Sequence, residues 1–292
     1  MDETEWLAKR FEDQRPRLRA LAYRMLGSLA EADDAVQDAW LRLSRSGDNQ
    51  IDNLGGWLTT VVARECLHLL RSRRLRREDF IGARLPDPII TAVDDLDPEQ
   101  EALLADSVGL ALLIVLDRLP PAERVAFVLH DTFQLPFDEI ARLIDRSPAA
   151  ARQLASRARR RVQDAEIPVP DADVAHQRKV VDAFFAAARA GDFDSLVQVL
   201  DPDIVLRADL GPSRPPAEYR GVTDVARLAR APRGAQVHPV LVNGQVGTLV
   251  TINGRAFSIM AFTVVEDKIV EINAIRADRV RRLAATLLPE KE

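Results

Sequence analysis

The sequence has little of what a secreted or membrane-spanning protein needs. It contains a single cysteine, Cys66, so no internal disulfide can form. No basic stretch followed by an apolar core opens the chain, as it would in a secretion signal. No apolar run approaches the roughly 20 residues that cross a bilayer, because Arg, Asp or Pro interrupts each candidate. We therefore expect a cytoplasmic protein without a membrane role.

The chain also lacks an excess of positive charge, since its formal net charge is -5 and its pI is about 5.6. Total charge does not exclude a nucleic-acid binder, because binding depends on where the basic residues lie. The 292 residues, 47% of them hydrophobic, are enough for two or three domains with separate cores. We expect a multi-domain protein whose local charge decides its partners.

Periodicity divides the chain into three regions joined by two linkers. Apolar residues at helical spacing predict a helical bundle over 5–77 and a second all-helical module over 107–165. Between them, 78–106 is rich in proline and acidic residues, which predicts a linker that does not pack tightly. A short linker, 166–175, precedes a region of mixed character, 176–289.

This last region combines one helix with several strand patterns. The helix is predicted from Val174 to Ala190, and β-branched clusters separated by turn residues follow it. The predicted strands cover 204–208, 237–242, 246–252, 256–265 and 269–274. Strands that follow one another through tight turns indicate an α+β domain with a mostly antiparallel sheet.

The first helical module ends in a basic helix, predicted over 58–77. Arginines at its end can neutralise phosphates, while Asn53 and Trp57 in the preceding loop could hold or stack an unpaired base. The alternative is a solvated charged helix with Trp57 in the core, since an arginine cluster also suits the helix dipole. These residues alone do not decide between the two.

An earlier helix, predicted over 29–44, carries an acidic face opposite its apolar stripe. This face is either a protein-docking surface or an ordinary solvent face. In the second case Asp38 and Arg42 would form an intrahelical pair worth about 0.3 kcal/mol.

The second module has the spacing of a helix-turn-helix. A short apolar stripe from Phe137 to Ile144 is followed by a turn at Asp145, and a second helix starts with Ser147 as its N-cap. The outward side of that helix is polar and basic, as a helix in the major groove requires. Asp145 stands where glycine is usual, and it tolerates the left-handed conformation less well than glycine. A plain helical hairpin is the alternative.

Four motifs resemble those of extracytoplasmic-function (ECF) RNA polymerase sigma factors. They are AEADDAVQDAWLR over 30–42, LPPAER over 119–124, LPFDEIA over 135–141 and SPAAARQLASRA over 147–158. The resemblance covers about 5 to 165. It implies sigma region 2 over 5–77, sigma region 4 over 107–165, and a cytoplasmic protein that binds core polymerase and promoter DNA.

The resemblance also assigns roles to residues. It implies that the acidic helix docks on the β′ subunit of core polymerase, with the β subunit as a further partner. The residues implied in polymerase binding are Asp33, Asp34, Gln37, Asp38, Leu41 and Arg42. Those implied in −10 recognition are Asn53, Trp57, Arg64, Arg71, Arg73 and Arg74. Those implied in −35 recognition are Ser147, Ala149, Arg152, Gln153, Ser156, Arg157 and Arg160.

The region 176–289 resembles the SnoaL/NTF2-like cone that extends SigJ-like sigma factors, beginning with VVDAFFAA over 180–187. Such relatives often carry a WLPEP linker and a DGGGR/K loop. Here RLPDP stands at 84–88 and DLGPSR at 209–214, which are partial matches. The resemblance implies a regulatory loop containing Asp209, Gly211 and Arg214.

Two functions follow as hypotheses. In the first, the chain is a sigma factor whose SnoaL-like domain modulates its activity without a separate anti-sigma protein. In the second, it is a DNA-binding small-molecule sensor or a SnoaL-like enzyme, with acid/base candidates Asp209, Tyr219, His238 and Glu271. Because no nucleophile motif, metal-ligand spacing or phosphate loop accompanies them, we expect no catalytic residue, metal or cofactor.

Overall fold

The structure is a computed structural model that describes residues 3–46, 51, 53–76, 85–92, 109–209, 211, 215–230, 232 and 234–276. It divides into two compact units. The helical unit holds the described residues up to Arg76 and from Leu112 to Glu166. The C-terminal unit holds 85–92, 109–111 and the described residues from Ile167 onward. None of the helices described is both long and apolar enough to span a bilayer.

The helical unit begins with three long helices, α1 (Glu3–Leu26), α2 (Leu29–Ser46) and α3 (Leu54–Arg76). Their facing sides bury Leu18, Met25, Leu43 and Leu58, each at most 1% exposed. Cys66 lies fully buried in α3, and this burial raises the pKa of its thiol above the ordinary value. The predicted first bundle is thus observed.

Helix α3 starts at Leu54, four residues before the predicted start. Asn53 caps it, because its side-chain Oδ1 accepts a hydrogen bond from the Gly56 backbone N–H at 3.0 Å. A Cβ at Gly56 would lie 2.8 Å from the Asn53 side-chain nitrogen, so a glycine allows the cap to close. The predicted loop before Leu58 is therefore largely the first turn of the helix.

Four more helices and one π-helical turn complete the helical unit, except that Leu110 and Ala111, the first two residues of the first of these helices, belong to the C-terminal unit. They are α4 (Leu110–Asp117), α5 (Pro121–Phe127), the π-helical turn (Val128–Thr132), α6 (Phe137–Ile144) and α7 (Pro148–Asp164). Asp145 ends α6 in the left-handed conformation at φ 56°, as the helix-turn-helix prediction requires of it. The Ser147 side chain then caps α7 by accepting the Ala150 N–H at 3.2 Å.

A buried arginine connects α5 to the end of α1. Arg124 is 1% exposed and donates from Nε and Nη2 to the Arg24 backbone carbonyl at 3.4 and 3.2 Å. Its Nη1 forms an ion pair with Asp117 at 3.0 Å. The neighbouring Glu123, 5% exposed, accepts hydrogen bonds from two arginines of α7. The hydrogen bonds of Arg124 to Arg24 therefore link the two helical modules inside one unit, whereas those of Glu123 hold α5 to α7 within the second module.

The C-terminal unit is a seven-stranded mixed sheet, within the residues described, with three helices. The helices are α8 (Val174–Ala190), α9 (Phe193–Val199) and α10 (Val222–Leu228). The strands are β1 (Ile90–Ala92), β2 (Leu200–Asp209), β3 (Ala217–Arg220), β4 (Ala235–Val242), β5 (Gln245–Ile252), β6 (Arg255–Val265) and β7 (Lys268–Arg276). Their order is β1-β4-β5-β6-β7-β2-β3, and only β2 and β7 pair in parallel.

The sequence located α8 and the five longest strands, whose observed ends extend the predicted ones by up to four residues. The core lies between α8 and the sheet. Phe262 of β6 is fully buried and meets the rings of Phe184 and Phe185 edge-on, each with centroids 5.8 Å away. The predicted α+β architecture with a mostly antiparallel sheet is confirmed.

Part of the predicted linker packs, which corrects the expectation that 78–106 would not. Ile90 to Ala92 form β1, which pairs antiparallel with β4 in the register Ile90↔Val242 and Ala92↔Val240. Leu85, Ile89 and Ile90 are at most 6% exposed. The prediction averaged composition over the whole stretch and overlooked these few apolar residues. The rest of that linker, 78–84 and 93–106, lies outside the described residues.

Candidate polymerase and nucleic-acid surfaces

The predicted polymerase-binding residues share one exposed face of α2. Asp34, Gln37 and Asp38 are exposed, and Leu41 is an exposed large hydrophobic residue at 41%. The remaining two are engaged at the flanks of this face. Asp33 pairs with Arg19 of α1 at 2.6 Å, and Arg42 pairs with Glu65 of α3 at 2.9 Å.

Arg42 therefore pairs with a neighbouring helix, and the predicted intrahelical Asp38–Arg42 pair is not the contact that the structure shows. The two flanking pairs join α2 to α1 and to α3. Asp34 and Asp38, between them, remain exposed to a partner. The exposed face thus combines one large hydrophobic residue with two acidic ones.

The predicted −10 residues lie at two separate parts of α3. Asn53 and Trp57 are at its N-terminal end, where Asn53 is exposed and Trp57 is partly exposed. Arg71 and Arg74 are exposed on the C-terminal half, as is Arg64 in the middle. At 1.5 Å per residue, Trp57 and Arg71 are roughly 21 Å apart along the helix. The aromatic side chain and the distal arginines therefore do not form one cluster.

Arg73 makes structural contacts instead of presenting its guanidinium to solvent. Its Nη1 donates to the Leu26 carbonyl at 2.8 Å, and Nη2 forms an ion pair with Glu31. These partners lie at the end of α1 and the start of α2. The residue therefore fixes the junction of three helices, which the sequence could not show because the partners are more than 40 positions away.

Two basic residues of α1, which sequence reasoning missed, lie beside Asn53. Arg10 and Arg17 line a polar cavity of about 540 Å³ together with Asn53, Gln14 and residues 133–136. All of them belong to the helical unit. Their spacing of seven residues places both arginines on one face of α1, and this spacing was the available signal.

The outward side of α7 presents the predicted −35 residues to different degrees. Ala149, Arg152, Gln153 and Arg160 are exposed, and Ser156 is half-buried. The Arg152 guanidinium lies 5.5 Å from the Phe137 ring centroid, so packing restricts its position.

Two predicted −35 residues have structural partners. The Ser147 hydroxyl is used in capping α7. Arg157 donates to the buried Glu123 at 3.0 Å, and Arg161, which was not predicted, donates to the same carboxylate at 2.6 Å. The side chains of Arg152, Gln153 and Arg160 therefore remain exposed on the outward side of α7.

Of the four acid/base candidates in the C-terminal unit, only Asp209 lines its internal cavity. Tyr219 packs against the core cluster, and the His238 Nε2 lies 3.1 Å from the Thr251 hydroxyl. Glu271 pairs with Arg207 at 2.8 Å. The described residues thus do not gather these candidates around one point.

The predicted regulatory loop is described only in part. The Asp209 side chain is buried, and its Oδ1 accepts a hydrogen bond from the Gly211 N–H at 3.1 Å. Arg214 lies outside the described residues.

Comparisons with known proteins identify the two helical regions. Family models of sigma-70 region 2 and of sigma-70 region 4 match 11–76 and 110–162. The ECF RNA polymerase sigma factor SigJ of Mycobacterium tuberculosis is 44% identical over 221 residues, 75% of this chain and 70% of that protein. The probable ECF RNA polymerase sigma factor SigI of the same species is 36% identical over 260 residues, 87% of this chain and 88% of the relative.

Comparison of the fold with solved structures indicates the same family. The crystal structure of M. tuberculosis SigJ is similar with a TM-score of 0.70 at 37% identity, covering 92% of this chain and 96% of that one. The C-terminal unit is an α+β sheet domain. The chain belongs to the extracytoplasmic-function RNA polymerase sigma factors, which bind core RNA polymerase and recognise promoters, and its helical unit carries sigma regions 2 and 4.

Proposed function

We propose that three surfaces of the helical unit divide the work of promoter recognition, in the cytoplasm where core polymerase acts. The exposed acidic face of α2, centred on Asp34 and Asp38, docks on the β′ subunit. The N-terminal end of α3, with Asn53 and Trp57, reads the −10 element, and the outward side of α7 reads the −35 element. The assignment is supported by the exposure of these side chains. Their neighbours Arg42, Arg73 and Arg157 are instead held by contacts within the helical unit. We also propose the bounds 5–77 for region 2, 107–165 for region 4 and 176–289 for the C-terminal domain.

Replacing Arg152 or Gln153 with alanine is expected to relax discrimination at one −35 position by about 1–3 kcal/mol, because a lost base contact affects one position only. Arg74→Ala is expected to weaken binding similarly on all promoters, since a phosphate contact carries no sequence information. Transcription with core polymerase on a promoter library measures both. Gln163→Ala, at an exposed position in the last turn of α7, is the control. Equal effects of all variants on every promoter would contradict the assignment.

We infer that regions 2 and 4 separate when the promoter is bound, because the two promoter elements lie farther apart than the helical unit is wide. The −10 and −35 elements lie roughly 25 base pairs apart, about 85 Å of B-form DNA at 3.4 Å per pair. A compact unit of about 140 residues has a radius of gyration near 14 Å and is therefore under about 40 Å across. Both regions lie within one such unit here. Simultaneous reading of both elements therefore requires this unit to open.

The segment that joins the two regions is held by the C-terminal unit. Asn243, 4% exposed, forms a reciprocal clamp with Ile89. Its backbone N–H donates to the Ile89 carbonyl at 2.8 Å, and its side-chain Oδ1 accepts the Ile89 N–H at 3.1 Å. While 85–92 stay paired, about 27 Å of extended chain cannot contribute to the distance that the linker spans between regions 2 and 4. We infer that this pairing restrains opening, so that the C-terminal domain modulates activity without a separate anti-sigma protein.

A side chain of α8 makes hydrogen bonds to β4, the strand that pairs with β1 of the linker, and to its neighbour β5. Arg178 of α8 donates to the carbonyls of Gly247 in β5 and Val240 in β4, at 2.9 and 3.1 Å. Its partial burial lowers the pKa of the guanidinium, with the charge of Asp182 opposing that shift. These hydrogen bonds hold β4 in the position in which it pairs with β1.

Asn243→Gly is expected to raise transcription several-fold when the sigma factor is limiting, because it removes the side-chain acceptor of the clamp. Asn243 has φ 51°, so glycine keeps the turn conformation without strain. Asn253→Gly is a matched control, since Asn253 has φ 52° in the next hairpin, where it is exposed. Hydrogen exchange at the Ile89 amide should accelerate only in the first variant. Unchanged output together with faster exchange at Ile89 would disprove the restraint.

A regulatory role for the C-terminal domain is favoured over catalysis by a specific observation. Acid/base chemistry needs positioned titratable groups at one reacting centre. Among the four candidates, Asp209 lines the cavity, whereas Tyr219, His238 and Glu271 have partners elsewhere. A DNA-binding sensor would bind promoter duplex tightly without polymerase. Sequence-specific binding that requires core polymerase would argue against this second function.

A further inference from the structure

The C-terminal unit contains a cavity of about 410 Å³ bounded by α8, α10 and the inner face of the sheet. Its walls are mainly apolar and include Phe184, Leu206, Val225 and Ile272. The volume falls within the roughly 300–1,000 Å³ of small-molecule sites. It corresponds to about 14 water molecules at 30 Å³ each, and hence to an organic ligand of about a dozen non-hydrogen atoms.

One row of side chains across four strands gives the cavity a polar end. The strand register places Val237 of β4 opposite Val250 of β5, Val250 opposite Ser258 of β6, and Ser258 opposite Arg276 of β7. All four residues line the cavity. Directly opposed side chains in a sheet have Cβ atoms about 5 Å apart. The row therefore ends in a hydroxyl and a guanidinium that can reach the same small group.

The charges at this cavity favour an anion. Arg189 and Arg230 are exposed residues of the lining, and together with Arg276 they outweigh Asp209, leaving a formal charge of +2. Asp209 pairs in register with Ile275, whereas Arg276 follows on the alternate side of β7. The Asp209 carboxylate also accepts a hydrogen bond from the Gly211 backbone N–H.

We propose that this cavity binds an organic acid, a ligand with an apolar, flat or aliphatic body and one carboxylate. The body lies against the apolar walls. The carboxylate accepts hydrogen bonds from the Ser258 hydroxyl and the Arg276 guanidinium, whose donors match its two oxygens. The guanidinium lies 5.0 Å from the Phe257 ring centroid, which places it at an apolar boundary where a charge-assisted bond is strong. The site does not depend on the linker restraint proposed above.

Calorimetric titration of the full chain tests the site with 2-naphthoate, which has about 13 non-hydrogen atoms, the size that the cavity volume allows. Its neutral isostere 2-naphthamide serves as the comparison. We expect the acid to bind at least about tenfold more tightly than the amide, since a hydrogen bond to a charged group is the stronger one. Arg276→Gln should abolish that preference. Ala274→Leu, in the next row of the cavity face, should weaken both ligands by filling the space.

Arg255→Gln, at an exposed arginine of β6 that is not part of the lining, is the matched control and should bind as the unchanged protein does. Ser258→Val gives a second test of the polar end if Arg276→Gln unfolds, which a thermal unfolding curve of each variant reveals. The proposal is overturned if the acid does not bind, if acid and amide bind equally, or if Arg276→Gln and Ser258→Val retain the preference. Since neither DNA nor polymerase is present, the result is independent of any effect on transcription.

Discussion

Replacing Arg124 with alanine is expected to lower the free energy of unfolding of the helical unit by about 3–5 kcal/mol, because Asp117 would keep a charge that has lost its buried partner. The same change removes both hydrogen bonds to the Arg24 carbonyl. All three tryptophans, Trp6, Trp40 and Trp57, belong to the helical unit, so tryptophan fluorescence during urea unfolding follows this transition.

Two further variants make this result specific. Arg124→Lys keeps the charge but loses the planar fork that contacts two partners at once, so most of the destabilisation should remain. Arg142→Ala, at an exposed position of α6, should change the free energy by no more than about 0.5 kcal/mol. A loss below about 1 kcal/mol in Arg124→Ala would show that the contact to α1 contributes little to holding the two regions together.

Phe262→Ala is expected to destabilise the C-terminal unit by about 3–5 kcal/mol, the usual cost of removing a large buried ring. Its side chain is fully buried, and its two edge-on ring contacts disappear together. Calorimetry measures the effect, and the tryptophan transition of the helical unit should stay in place. Phe193→Ala, at a phenylalanine that is 43% exposed, should leave both transitions nearly unchanged. A shift of the tryptophan transition in Phe262→Ala would show that the units unfold as one.

The sequence predicted the architecture well where periodic patterns are long. Helix α8 was predicted from Val174 to Ala190 and is observed with those ends, because Asp173 caps it and Gly191 ends it in the left-handed conformation. Shorter elements escaped prediction. Helices α9 and α10 have seven residues each, and β1 has three, too few for a period to be visible.

Individual side-chain roles were harder to predict than elements. Arg73 and Arg157 belong to basic clusters that suit DNA, yet their guanidiniums contact Leu26 and Glu123, 47 and 34 positions away. A pattern in the sequence shows which face of a helix a residue occupies, but not which distant group it meets there. The clamp between Ile89 and Asn243, separated by 154 positions, was invisible for the same reason.

The burial of Cys66 makes the chain suitable for single-site labelling. Its thiol is fully buried and its pKa is raised, so the thiolate that reacts with maleimides is scarce at neutral pH. Because it is the only cysteine, one new cysteine at an exposed position of each region, such as Lys9→Cys in α1 and Gln163→Cys in α7, would take up a donor and an acceptor dye. Energy transfer between the two dyes would then report, in single molecules, whether regions 2 and 4 separate on a promoter.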